Sequence, residues 1–176
     1  MSDTIYIKPI GGLANRLRVI NSGLQLAKKN NSSCTVLWER NPDLNASFLS
    51  LFHSPSDFDV IELRPGFQLK GIRPTYFPDK KPLGMRRGFY SFTKMVYGIR
   101  HEVWYDDLHK IFDDLRDNYR PDMSPDLENL YEMAEPKISS LIDVAEISQA
   151  YISSSWEMKG KESFDAKLTP ADRVLE

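Results

Sequence analysis

The chain has almost no cysteine, since Cys34 is the only one among its 176 residues. A single cysteine excludes an internal disulfide and a cysteine-based zinc cluster. Because Cys34 stands within the apolar run CTVLW, we expect it to be a small buried hydrophobe. The chain also lacks an apolar run long enough to cross a bilayer. Its N-terminal segment, MSDTIYIKPI, has neither the basic start nor the apolar stretch of a secretory signal, which indicates a cytoplasmic protein.

The net charge of −2 is unevenly distributed along the chain. Residues 1–100 contain 15 Lys and Arg against 7 Asp and Glu, whereas residues 101–176 contain 8 against 18. A basic first half favours an anionic small-molecule ligand. Attraction between the two halves across an interface explains the pattern equally well. The basic residues are scattered and form no single stripe, which argues against a nucleic-acid partner.

Residues 4–39 have the pattern of a strand, a helix and a second strand. TIYIKPI alternates β-favouring residues and predicts a strand. Apolar residues recur in steps of three and four from Leu13 to Ala27, which predicts an amphipathic helix that ends at Asn30. CTVLWE is typical of a buried strand. One such unit implies parallel strands with a right-handed crossover, so we predict an α/β fold, a Rossmann-like parallel sheet with flanking helices.

The rest of the chain gives a coarser pattern. We predict a short helix in LNASFLSLF capped by Asn45, a strand in FDVIEL, and a loop or hairpin over residues 64–90. WYDDLHKIFDDLRDNY predicts a helix, SPDLENLYEMAEPKISSLIDV two helices broken at Pro136, and AYISSSWEM another strand. The Thr-Pro pair of LTPADRVLE predicts the start of a helix.

The pair Gly11–Gly12 lies between the first strand and the first helix. Glycine takes backbone conformations closed to other residues and admits a ligand close to the main chain. The first N–H groups of the helix carry partial positive charge, which suits a phosphate, and Asn15 can cap the helix or donate an amide hydrogen bond. Arg16 and Arg18 are two residues apart, so at most one faces a ligand. Neither GxxxxGK[ST] nor GxGxxG occurs, and a plain structural turn is the alternative.

The string GGLANRLRVINSGLQLAKKNNSSCTVLWE, followed by LNASFLSLF, resembles the N-terminal lobe of the nodulation-type and α-1,6-fucosyltransferase group, which is related to the protein O-fucosyltransferases. The resemblance covers residues 5–52, and AYISSSWEM is similar to a late strand of that lobe. Two departures are visible. Ala14 stands where the family usually has glycine, and the family's HxRxxD motif, whose arginine binds the donor phosphates, does not occur in the 176 residues.

The resemblance implies one lobe of a GT-B-like, two-lobed enzyme that transfers fucose from GDP-fucose to a hydroxyl of a glycan or glycoconjugate, with no metal or other cofactor. Residues 1–160 would form the N-terminal α/β lobe, and residues 161–176 would begin the connection to a C-terminal lobe that holds most of the donor. By position, Gly11, Gly12, Asn15 and either Arg16 or Arg18 would line the cleft and bind donor or acceptor. The resemblance supplies no catalytic base, and the isolated lobe is expected to be inactive.

Three further groups of residues have a structural explanation beside a functional one. The aspartates around His109 suit a divalent metal, but the apolar stripe of their helix favours a solvated acidic face. The aromatics and cations of MRRGFYSFTKMVYGIR suit a glycan, or else core packing with outward cations. Serines 153–155 offer three hydroxyls to a ligand at a strand end near the expected cleft, but no base partner is evident, so nucleophilic catalysis is not indicated. The alternatives to a fucosyltransferase are a non-catalytic binding or assembly module and a nucleotide-binding protein of unrelated chemistry.

Overall fold

The computed structural model describes residues 3–64, 69–70, 73–117, 127–142, 149–155 and 168–172. Its elements along the chain are β1 (Thr4–Pro9), α1 (Leu13–Lys29), β2 (Ser33–Glu39), α2 (Phe48–Leu51), β3 (Asp59–Leu63), β4 (Leu69–Lys70), β5 (Arg73–Pro74), α3 (Met85–Tyr97), β6 (His101–Val103), α4 (Tyr105–Asp117), α5 (Leu127–Ile142) and β7 (Ala150–Ser154). Parts of several predicted elements, at residues 118–126, 143–148, 156–167 and 173–176, lie outside the described residues.

Five strands form one parallel sheet in the order β3-β2-β1-β7-β6. The predicted α/β class with a Rossmann-like parallel sheet is therefore confirmed. β4 and β5 pair separately as a short antiparallel ribbon. The chain leaves β1 toward β2 on one side, while β7 borders β1 on the other side. In open α/β sheets, ligands bind beyond the carboxyl ends of the strands at such a reversal of strand order.

Side-chain alternation along the strands divides the core into two layers. On one face, Ile5 and Ile7 of β1 are fully buried against α1, α4 and α5. On the other face, Tyr151 of β7 packs against aromatic residues from the segment that crosses the sheet between β3 and β6. The ring centroid of Tyr90, from this segment, lies 5.8 Å from that of Tyr151, and the centroid of Trp104, which follows β6, lies 5.4 Å from it. The second face is thus held by an aromatic cluster.

The segment predicted as a loop or hairpin over residues 64–90 is instead partly helical. The β4–β5 ribbon lies within it, but α3 begins at Met85 and continues to Tyr97. Gly88 and the crowding of aromatic and β-branched residues lower the helical propensity of this stretch, and burial of Tyr90 and Thr93 on the sheet compensates for it. β6 was not predicted from the sequence, because its three residues are too few to show an alternating pattern.

Two boundary predictions are wrong. α5 runs through Pro136 without a break, because Pro136 is exposed while Ala134 and Ile138 on either side of it are buried in one cluster. The N-cap of α2 is Ser47, two residues after the predicted Asn45. Pro170 forms an isolated bridge to Phe52. Asp172 has the 3-10 helical conformation, and residues 173–176, the rest of the helix predicted from the Thr-Pro pair, lie outside the described residues.

The part of the predicted interlobe connection that the structure describes, residues 168–172, packs on this same domain. The Ala171 N–H donates to the Leu51 carbonyl at 2.8 Å, and the His53 N–H donates to the Thr169 carbonyl at 2.9 Å. These contacts hold the segment beside α2. Whether it continues into a second lobe stays a prediction.

Candidate functional site at the carboxyl edge of the sheet

The turn between β1 and α1 lies at the reversal of strand order and is open to solvent. Gly11 has a φ of +87°, a conformation that favours glycine. Gly12 is the N-cap of α1, makes no side-chain capping hydrogen bond, and has open space where a Cβ would stand. The next residues, Leu13 to Asn15, are exposed. The first backbone N–H groups of α1 therefore belong to an uncovered helix turn that suits an anion.

Asn15 and Arg18 lie on the exposed side of this turn. The Asn15 side chain folds back toward Gly11, where an added Cβ would come within 3.3 Å of its Nδ2. An Arg18 guanidinium N–H donates to Asn15 Oδ1 at 3.5 Å. Ala14 is exposed within the helix and does not have positive φ. The departure from glycine at this position therefore leaves the turn undistorted.

Arg16 is fully buried, whereas the neighbouring predicted site residues Asn15 and Arg18 are exposed. Its Nε donates to the Gly11 carbonyl at 2.7 Å, while its two terminal nitrogens donate to the Glu39 carbonyl at 2.6 Å and to Asn41 Oδ1 at 2.8 Å. The guanidinium carbon lies 4.6 Å from the centroid of the Trp38 ring. Arg16 thus ties the glycine turn to the end of β2 from beneath.

The electrostatics around Arg16 favour its charged form in spite of burial. Burial lowers its pKa, and the carboxylates of Asp43, Glu39 and Asp79 oppose that shift. A guanidinium with several hydrogen bonds and nearby carboxylates remains protonated at neutral pH. Its positive charge therefore adds to the potential at the amino end of α1.

A second buried cation, Lys8 of β1, lies on the other face of the same edge. Its ammonium group is 2.6 Å from Glu39 Oε2 and 2.7 Å from Asp79 Oδ1, and it donates to the Phe77 carbonyl at 2.6 Å. Lys8 is only 4% exposed, and a buried ammonium requires such partners. The group anchors the chain around Asp79 to the sheet centre.

Two residues of β7 complete this anchor. The Ser153 hydroxyl donates to the Asp79 carbonyl at 2.7 Å and accepts from the Tyr105 N–H at 3.0 Å. The Tyr151 hydroxyl donates to the Pro78 carbonyl at 2.7 Å. Ser153 and Ser154 are fully buried, whereas Ser155 is partly exposed where the strand ends. Of the three serines, Ser155 is the one with its side chain partly open to a ligand.

A hollow of about 520 Å³ adjoins this anchored segment. It is lined by Tyr76, Pro78, Asp79, Lys80, Lys81, Pro82, Leu83 and Arg86. Three cations and one carboxylate give it a net positive lining. Another hollow, of about 260 Å³, lies near Cys34 and Phe58 at the start of β2 and β3. Neither hollow is lined by Gly11 or Gly12, so the glycine turn lies outside both of them.

Sequence reasoning found the glycine turn but missed the buried cations around it. The burial of Arg16 could have been predicted from helical spacing. One face of α1 is formed by Arg16, Ile20, Gly23 and Ala27, and all four are buried. For Lys8, the alternation of side chains along β1 indicates the face of the sheet on which it lies. It does not indicate the ion-pair partners, because Asp79 lies far along the chain. The predicted solvated face of α4 is confirmed at Asp106, Asp107 and Asp114, which are exposed.

Cys34 is buried as predicted. Burial, with a smaller effect of Asp59, raises the pKa of its thiol to about 12. A thiol with so high a pKa is a poor nucleophile and a poor metal ligand at neutral pH. Among the described residues, no group of three or more His, Cys, Asp or Glu side chains is arranged to hold a metal ion, and no helix there has the length and apolarity to cross a bilayer.

Comparisons with protein-family models, with curated proteins and with solved structures find no match to this chain.

Proposed function

We propose that this chain is the N-terminal lobe of a glycosyltransferase that transfers fucose from GDP-fucose to a hydroxyl of a glycan or glycoconjugate. The observation that carries the proposal is the uncovered turn Gly11–Gly12 at the carboxyl edge of the sheet, followed by the exposed residues Leu13 to Asn15. It supports the proposal because a nucleotide sugar presents a diphosphate, and helix N-termini bind such anions. The resemblance over residues 5–52 supplies the donor.

The chemistry requires stabilisation of the leaving diphosphate. When the bond between the sugar and GDP breaks, negative charge increases on the phosphate oxygens. Fixed N–H dipoles at Gly12 and the first turn of α1 would stabilise that charge without reorganising. The Arg16 charge beneath the turn adds to this potential, while Asn15 and Arg18 would contact the phosphates or the acceptor. A second lobe would supply the main donor contacts, so this lobe alone is expected to bind GDP weakly and not to catalyse transfer.

The second candidate is a non-catalytic module in which the glycine turn is purely structural. A specific observation favours it: the Gly11 carbonyl is a hydrogen-bond acceptor for buried Arg16. On this view, glycine at position 11 serves only to present that carbonyl. The two candidates differ in whether Gly12 must remain without a side chain.

Gly12→Ser separates the two candidates. Gly12 has a φ of −70° and a ψ of 172°, and a Cβ would meet open space. Serine is a good N-cap, so the variant should keep or gain a few tenths of a kcal/mol in stability. If a diphosphate approaches the turn, the added side chain obstructs it, and transfer by the complete protein falls. Gly88→Ser is the matched control, because Gly88 also faces open space but lies in α3.

Activity is measured with GDP-fucose and glycan acceptors, and stability by thermal unfolding. Loss of transfer in Gly12→Ser with unchanged stability and a normal Gly88→Ser supports the enzyme. Absence of transfer by the complete protein would support the non-catalytic module, and transfer activity that is indifferent to Gly12→Ser would assign the turn a structural role. The proposal also predicts an HxRxxD-like segment and a second α/β lobe in the reading frame after residue 176, and a complete coding sequence without them would contradict it.

A further inference from the structure

The α3 helix carries an apolar stripe that faces solvent. Met85, Phe89, Phe92 and Val96 are spaced by four, three and four residues, which places them on one side of the helix. The buried stripe of α3 includes Tyr90 and Thr93, each one residue after a member of the exposed stripe. Leu83 and Met95 lie beside the stripe. The solvent-exposed fractions of the apolar residues in this region are 82% for Leu83, 87% for Met85, 43% for Phe89, 39% for Phe92, 71% for Met95 and 39% for Val96.

The same region is strongly basic. Residues 80–101 contain six Lys and Arg and no Asp or Glu. Two of these cations have acidic partners, Lys80 with Asp106 and Lys94 with Glu102. The other four have no ion-pair partner within the described part of the chain: Lys81, Arg86, Arg87 and Arg100. Unpaired cations beside exposed apolar side chains fit a surface that is both anionic and apolar.

We propose that this surface, the six exposed apolar residues and the four unpaired cations together, docks the protein onto an anionic lipid bilayer. Helices that lie in a membrane interface combine these two features, with apolar side chains between the acyl chains and Lys or Arg at the headgroups. The basic hollow of about 520 Å³ next to α3, which includes Lys81 and Arg86, is placed to receive a headgroup phosphate. The proposal does not depend on the role of the glycine turn.

Charge complementarity favours a membrane over a second copy of this chain. A symmetric dimer through α3 would bring the unpaired cations of both copies together, and like charges at an interface oppose association. The exposed acidic residues of α4 could pair with the α3 cations of a second copy only in a non-symmetric contact between two different surfaces. An anionic bilayer satisfies the cations and the apolar stripe at once.

Vesicle co-sedimentation of the 176-residue chain tests the proposal. The probes are vesicles of phosphatidylglycerol and phosphatidylcholine in equal amounts, and vesicles of phosphatidylcholine alone. We expect binding to the mixed vesicles, much weaker binding to the neutral ones, and loss of binding in high salt, because salt screens the cations. Failure to bind the mixed vesicles, or equal binding to both kinds, would overturn the proposal.

Variants then locate the surface. Met85→Glu with Met95→Glu should lower partitioning to mixed vesicles at least about tenfold. Arg86→Gln with Arg87→Gln should lower it about fivefold for each cation removed. Met133→Glu is the matched control, since Met133 is also exposed but lies on α5, and it should bind like the wild type.

Two further results would count against membrane docking. One is an equal loss of binding in Met133→Glu. The other is a wild-type dimer in analytical ultracentrifugation that the Met85 and Met95 double variant converts to a monomer, which would assign the surface to a second copy. Circular dichroism checks that each variant is folded, and the high exposure of Met85 and Met95 predicts that it is.

Discussion

Replacing Arg16 by lysine tests how the glycine turn is held in place. The substitution keeps the positive charge but removes the planar fork that joins three chain segments. Arg16 donates to acceptors of Gly11, Glu39 and Asn41 at 2.7, 2.6 and 2.8 Å. A lysine side chain has a single nitrogen in place of the three of the guanidinium, and that nitrogen cannot reach all three acceptors from the same backbone position. We expect the turn to loosen and the protein to lose stability.

The magnitude follows from the lost contacts. A hydrogen bond to a charged group contributes about 1.5–3 kcal/mol, and stacking of the guanidinium on Trp38 contributes about 1 kcal/mol more. If lysine retains one of the three hydrogen bonds, loss of the other two and of the stacking should cost about 4–7 kcal/mol. The matched control is Arg18→Lys, which lies on the same helix but is exposed. Its effect should stay within about 0.5 kcal/mol.

Urea unfolding followed by circular dichroism and tryptophan fluorescence measures both variants. Trp38 stacks under the guanidinium, so its native emission should also change in Arg16→Lys and not in Arg18→Lys. A loss below about 1 kcal/mol for Arg16→Lys, or similar losses in both variants, would refute the interpretation of Arg16 as the anchor of the turn.

Three other predictions concern packing, strain and pH. Gly23→Ala should destabilise the protein by about 1–2 kcal/mol, because its Cβ would lie 2.6 Å from Ile7 Cγ1 and the cost of overpacking exceeds the gain in helix propensity. Gly88→Ala, whose Cβ meets open space, should instead stabilise the protein by about 0.5–1 kcal/mol. Equal shifts of the two melting temperatures would contradict this. Gly11→Ala should cost about 1 kcal/mol because φ is +87°, and unchanged urea stability would show that the turn relaxes. Cys34 binds its proton more tightly when folded, with a pKa raised from 9.0 to about 12, so its contribution is complete below pH 9 and is lost as pH rises toward 12. The stability difference between wild type and Cys34→Ala should therefore shrink by about 1.4 kcal/mol per pH unit in that window, and a constant difference would argue against burial of the thiol.

The local pattern of the sequence predicted the elements with regular periodicity. β1, α1, β2, β3, α4 and β7 follow from alternation or from steps of three and four residues. The pattern also placed Gly11 and Gly12 at the carboxyl edge of a parallel sheet, because one βαβ unit fixes that geometry. Local pattern was sufficient wherever each element's own apolar face determined its structure.

The features that sequence reasoning missed depend on distant contacts. α3 has a glycine and many aromatic residues in its interior, and it forms because Tyr90 packs on Trp104 and Tyr151. α5 continues through Pro136 because both of its halves bury residues in the same core cluster. The partners of Lys8 come from separate segments, and spacing along one chain does not indicate such a meeting.

Amide chemical shifts show whether the open turn after β1 binds a diphosphate. The isotopically labelled chain is titrated with GDP-fucose and, separately, with inorganic pyrophosphate, and the backbone N–H signals are followed by NMR. We expect weak binding of both ligands, with the largest shifts at Gly12, Leu13, Ala14 and Asn15. Shifts confined to other parts of the protein, or no shifts at millimolar ligand, would contradict the claim that the open turn after β1 binds a diphosphate.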